Sequence, residues 1–155
     1  ITQGMQPIAG YNYGAQQFHR VNEVLKLAIW GATAMTTLTF LVGELIPELT
    51  VSIFTTDELL IQLAADGFRI TVLLFPIVGF QMVTSNFFQS IGMANKAIFL
   101  SLTRQLLFLL PCLIILPKFM GAAGIWWSMP ISDFLASMVA AVLLYKQYQA
   151  FKNKL

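Results

Sequence analysis

The chain has 155 residues, of which 57% are hydrophobic and only 10% charged, with a net charge of +2 and a mean hydropathy of +0.75. Soluble domains carry about 25% charged residues, so a water-soluble globule is excluded, and the small net charge gives no basic footprint for nucleic acid. A single cysteine, Cys112, excludes an intrachain disulfide and a cysteine-built zinc site.

A bilayer core is about 30 Å thick and takes about 20 apolar helical residues to cross. In hydrocarbon each backbone polar group must be satisfied within the segment, so spanning elements here are helices. Four stretches have the length, and one is free of charge from Ile70 to Asn95. In chain order, residues 1–8 read as the end of a helix, followed by a loop at Gly10-Tyr11-Asn12-Tyr13-Gly14, where two glycines and an Asn favour a turn. The polar run from Gln16 to Lys26 reads as a short surface helix leading into the first span, 27–46, which Pro47 closes. An acidic loop follows, in which Thr56 before Asp57-Glu58 resembles a helix N-cap with acid in the first turn. The second span is 68–92 with Pro76 inside, and the third is 97–116, closed by Pro117 and interrupted by Arg104 and Pro111. The fourth is 121–145 with Pro130 and Asp133 inside, leaving 146–155 as a polar, basic tail. The chain opens on Ile1 without Met, from which we expect it to be the C-terminal part of a longer protein.

Alternating the loops separates Arg20, Lys26, Lys96, Lys146, Lys152 and Lys154 from Arg69, Lys118 and the acidic loop. By the positive-inside rule the first set, and with it the tail, is expected in the cytoplasm.

Two ionisable residues fall inside spans, Arg104 and Asp133. A charge at mid-membrane costs about 2.5–3.5 kcal/mol on insertion scales, so neither is expected to face lipid. At about 1.5 Å per residue, Arg104 lies roughly 12 Å along its helix from Lys96, and Asp133 roughly 20 Å from Lys146. Either the two pair within the bundle, or Arg104 snorkels to the interface and Asp133 meets water or backbone donors. Gln81, Ser85 and Gln89 recur at four-residue steps on one stripe of the second span. Uncharged polar groups so arranged suit either a wet cavity or hydrogen bonds between helices, and Pro76 beside them favours a bent helix of the kind found at transporter sites. Nothing has the spacing of a hydrolase, zinc-protease or nucleotide motif. With His19 the one histidine, neither a catalytic constellation nor a metal or cofactor site is expected.

The run Gln6-Pro7-Ile8-Ala9-Gly10-Tyr11-Asn12-Tyr13-Gly14-Ala15 resembles a signature of the multidrug and toxic compound extrusion (MATE) family. Phe88-Gln89-Ser90-Ile91-Gly92, Arg104-Gln105 with Pro111, Gly121 to Trp126, and then Pro130 and Asp133 continue the likeness in order over nearly the whole chain. The resemblance implies an all-α membrane protein: about four transmembrane helices plus the end of a fifth, a fragment of a twelve-helix, two-lobed transporter, within the second lobe. It implies secondary active efflux of organic, often cationic, drugs by alternating access with H+ or Na+ as coupling ion, in a bacterial plasma membrane. The partners implied are the bilayer, small organic substrates and the missing N-terminal part of the same protein. Gln81, Ser85 and Gln89 would then line a central cavity, and Pro7, Gly10, Tyr11, Asn12 and Gly14 would form a cytoplasmic hinge. Some sodium-coupled relatives carry an acid in the helix corresponding to the second span. Here that segment has none, so any coupling carboxylate is Asp133 or lies upstream. The alternatives are a lipid-linked oligosaccharide flippase of the same superfamily, and a non-transporting membrane scaffold.

Overall fold

The computed structural model describes residues 1–152, and within them every regular element is helical. In order they are α1 (Thr2–Gly14), α2 (Phe18–Leu45), α3 (Pro47–Ser52), α4 (Glu58–Val72), α5 (Phe75–Ser90), α6 (Ala94–Leu102), a π-helical segment (Thr103–Leu109), α7 (Leu110–Met120) and α8 (Ala122–Lys152). Among the described residues α2, α6 through α7, and α8 are each long and apolar enough to cross a membrane. The pair α4 and α5, bent by 52° at their break, has the length and apolarity of a fourth when taken together as one broken span. This is the all-α membrane fold expected, with different element ends.

Each difference has a local cause. The Gly10–Gly14 loop does not form: α1 runs through Gly14, and the turn falls at residues 15–17. Two contacts hold that last turn in helix. Gly10 lets α5 come so close that a Cβ on it would sit 2.9 Å from the Ser90 carbonyl oxygen, and Asn12 Nδ2 donates to the Ile8 carbonyl at 2.8 Å. The expected surface helix is simply the start of α2, because Phe18, Val21 and Leu25 are buried against the bundle. Asp57, not Thr56, caps α4, its Oδ1 accepting from the amides of Leu59 and Leu60 at 3.0 and 3.3 Å. The second span begins ten residues earlier than expected, at Glu58 rather than Phe68, and breaks at Leu73–Leu74. Pro76, which cannot donate a backbone bond, sits in the first turn of α5, where none is needed.

Pro117 does not close the third span. It lies inside α7, which ends at Gly121, whose φ of +59° stops the helix. Pro111 acts upstream instead. Lacking an N–H for the Leu107 carbonyl, and with its ring crowding that carbonyl, it follows a turn widened to π geometry over Thr103–Leu109. Residues 146–152 of the expected tail are the last turns of α8, and the end of that tail lies outside the described residues. The reason is Phe151, buried and stacked on Phe18 with centroids 5.1 Å apart.

In lipid, helices are held by close packing more than by burial of apolar surface. Helix α5 is the hub, touching α1, α2, α6 and α8. Its Gly79 lies against α2 so closely that a Cβ would sit 2.7 Å from Thr36 Oγ1 and 2.9 Å from the Ala32 carbonyl oxygen. The large apolar side chains Leu27, Trp30, Leu106, Leu107 and Ile114 are exposed on the outside, as a bilayer-facing surface requires.

Candidate functional site

The polar residues of α5 do not share one environment. Gln81 is buried at 3% exposure and its Oε1 has no hydrogen-bond partner. Ser85 faces α6, bonded to the Ala97 carbonyl and to Ser101 Oγ, each at 3.3 Å. Gln89 is exposed. The four-residue spacing set them on one stripe, but α6 and α8 pack over part of α5 and divide it. Ser85 therefore serves as a tie between helices, and Gln89 alone of the three is free to meet a solute.

A second polar strip on α5 was less visible in sequence. Asn86 Oδ1 accepts from Gln6 Nε2 of α1 at 3.2 Å, and Asn86 Nδ2 donates to the Met82 carbonyl at 2.8 Å. With Met82 half exposed, the face Met82, Asn86, Gln89 runs beside α1 at helical spacing. Gln6 and Asn86 are 80 residues apart, so no local pattern links them; only the family signature containing Gln6 drew attention to it.

The intramembrane charges meet. Arg104 Nε donates to Asp133 Oδ1 at 2.8 Å, joining the π-helical segment to α8. The Asp133 side chain is 5% exposed and that of Arg104 33%, so the carboxylate is enclosed and the guanidinium reaches it from the bundle's edge. Within α8, Ser137 Oγ donates to the Asp133 carbonyl at 2.7 Å. The neighbouring Thr103 is buried with its hydroxyl unpartnered. The charge pair and the unpartnered Thr103 hydroxyl next to it form a polar node in an otherwise apolar bundle. No group of three or more potential metal ligands gathers anywhere among the described residues.

The residues of the expected hinge, Pro7 to Gly14, lie within α1 and lead up to the α1–α2 turn. Tyr11 is 77% exposed, while Asn12 is buried with its Oδ1 unpartnered. Pro7 interrupts the backbone bonding of α1 from within. Tyr13 is held by Phe18 and Phe151, at centroid distances of 6.0 and 5.9 Å, so this turn is clamped to the end of α8 by an aromatic cluster.

A polytopic helical bundle with a bent helix pair and a charge pair within it is the architecture of a multi-pass membrane protein. The chain belongs to the MatE family, whose sequence profile matches residues 1–115. It is 22% identical over 145 residues to the multidrug export protein MepA of Staphylococcus aureus strain N315, covering 94% of this chain and 32% of that protein. The MATE multidrug transporter DinF-BH, solved in complex with a ligand, superposes with a TM-score of 0.90 at 39% identity over 97% of this chain and 34% of its own. The bent form of the Vibrio cholerae MATE transporter VcmN gives 0.86 at 19% identity, covering 97% of this chain and 34% of its own, a likeness of fold. The chain thus spans about a third of the length of the relatives it matches, and it is a membrane protein of the MATE type.

Proposed function

We propose that this chain is part of the second lobe of a multidrug exporter, which moves organic, often cationic, compounds outward by alternating access in exchange for H+ or Na+. The observation that carries this reading is the 39% identity and 0.90 TM-score to a multidrug transporter solved with a ligand bound. Transport, rather than catalysis, is the role. Helices α1 and α5 contribute one wall of the substrate path through Gln6, Asn86 and Gln89, completed by the rest of the protein. The basic ends of α2 and α8 face the cytoplasm of a bacterial plasma membrane, as their Lys and Arg residues favour.

Arg104 and Asp133 are the intramembrane charges on which ion coupling in this lobe would act. Their 2.8 Å contact supports a pair that opens and closes with the lobe, or one that simply fixes helix register. The experiment is efflux of ethidium, a fluorescent organic cation, from drug-sensitive bacteria expressing the full-length protein. Export abolished by a protonophore marks H+ coupling, and export lost on replacing Na+ with choline marks Na+ coupling. The 155-residue chain expressed alone should confer no resistance, because the other lobe must close the cavity. An absence of gradient-dependent flux in the full-length protein would refute the reading, and flux of lipid-linked oligosaccharide instead would reassign it.

A further inference from the structure

A groove of about 310 Å³ opens where α2 and α8 straddle α5 at the basic end of the bundle. Its floor is apolar, with Leu25, Phe80, Phe87 and Leu144, and its rim carries Lys26, Asn22 and the phenols of Tyr145 and Tyr148. It lies apart from the charge pair and from the α1 side of α5. Arg20, Lys26, Lys146 and Lys152 belong to this end, and among the described residues none has a carboxylate within 4.0 Å; the neighbouring Glu23 is turned to His19. Lys96 is already engaged, donating to Gln147 Oε1 at 2.8 Å above the Phe88 ring.

We propose that this groove holds an anionic phospholipid, with an acyl chain along the floor and the phosphate at Lys26. Charge favours that occupant. The unpaired cations attract a net negative headgroup, as basic pockets between membrane helices do, while the Asn22 amide and the tyrosine hydroxyls supply neutral donors. A helix packed over the groove would bury the Lys26 ammonium, which has no carboxylate partner among the described residues. This inference rests on the membrane setting and not on the efflux reading, so it stands or falls independently of the transported substrate.

The test is native mass spectrometry of the purified full-length protein titrated with phosphatidylglycerol and with phosphatidylcholine. Phosphatidylglycerol should bind at least about fivefold more tightly, a factor set by about one lysine at a membrane surface. Lys26→Gln, at an exposed position and so harmless to folding, should remove that preference while leaving phosphatidylcholine binding unchanged. Ala141→Trp, which fills the groove wall, should weaken both lipids. Equal binding of the two lipids by the parent protein would overturn the proposal. So would a Lys26→Gln variant that keeps the preference, or an Ala141→Trp variant that binds as the parent does.

Discussion

Removing Arg104 should damage this protein more than removing Asp133, although both sit in the same 2.8 Å contact. The asymmetry comes from burial. Asp133 is 5% exposed and Arg104 33%, so Arg104→Gln strands a carboxylate in the bundle, while Asp133→Asn leaves a guanidinium that can swing towards the interface. Breaking a buried pair from one side costs about 3–5 kcal/mol, and a lone charge at mid-membrane about 2.5–3.5 kcal/mol. We therefore expect Arg104→Gln to cost about 3 kcal/mol. Asp133→Asn should cost about half of that after discounting for the exposed end of Arg104. The double variant has no charge left to strand and should cost less than the two singles summed, with a coupling of about 2 kcal/mol, within the range for residues in one ion pair. The assay is equilibrium unfolding of the purified full-length protein in mixed micelles of rising SDS content. A double variant equal to the sum of the singles within about 0.5 kcal/mol would mean the two residues do not interact energetically. A larger cost for Asp133→Asn than for Arg104→Gln would refute the burial argument even if the coupling were present.

Other perturbations read different parts of the bundle. Gly79→Leu drives a side chain into the Ala32 carbonyl and Thr36 hydroxyl, and overpacking of this kind should cost about 1–3 kcal/mol in the same unfolding assay; an unchanged midpoint would mean α2 can move away freely. Ser85→Val loses only the bonds to Ala97 and Ser101, so it should cost about 1 kcal/mol, two such membrane contacts averaging about 0.6 kcal/mol each, and leave ethidium efflux as it was. Gln89→Ala, on the exposed face of α5, should instead leave stability unchanged and lower ethidium efflux by about two- to tenfold, the worth of one hydrogen bond; efflux sensitive to Ser85→Val and indifferent to Gln89→Ala would reverse the assignment. Pro111→Ala restores a donor to the Leu107 carbonyl, so amides over Thr103–Leu109 should exchange more slowly with deuterium, and exchange that does not change would mean the widened turn has another cause.

What was legible beforehand divides along a physical line. A stretch such as Ile70 to Asn95 announces a membrane helix because a bilayer leaves an uncharged segment of that length no other structure. The bend at Leu73–Leu74 was half announced by Pro76, whose position in the first turn of α5 follows from its missing donor. The ends were not legible, because tertiary contacts decide them. Gly10 and Asn12 carry turn-forming preferences, yet α1 continues through them under the Ser90 carbonyl. Lys146 to Lys152 look like a solvated tail, yet Phe151 is 2% exposed among Tyr13, Phe18 and Phe87. Thr56 and Asp57 are both able caps, and only geometry shows that Asp57 reaches two amides.

The π-helical segment shows why spacing alone could not settle the candidate site. Counting along an ideal helix, Ala97, Leu100 and Thr103 share one face, and all three are indeed buried. Arg104 follows Thr103 directly, at the point where the backbone leaves α geometry for the widened turn ahead of Pro111. From there on the side chains are rotated relative to the face that packs on α5. The segment packs on α8, and Arg104 reaches Asp133 there. Pro111 and the Arg104–Asp133 contact are therefore parts of one arrangement: the proline disturbs the backbone bonding in the preceding turn, and the ion pair lies in the turn so changed. If so, Pro111→Ala should alter more than local amide exchange. By returning the segment to α geometry it should pull Arg104 off Asp133 and reduce the coupling between them from about 2 kcal/mol towards zero. A full coupling retained in the Pro111→Ala background would separate the two features and leave the π turn without a part in positioning the pair.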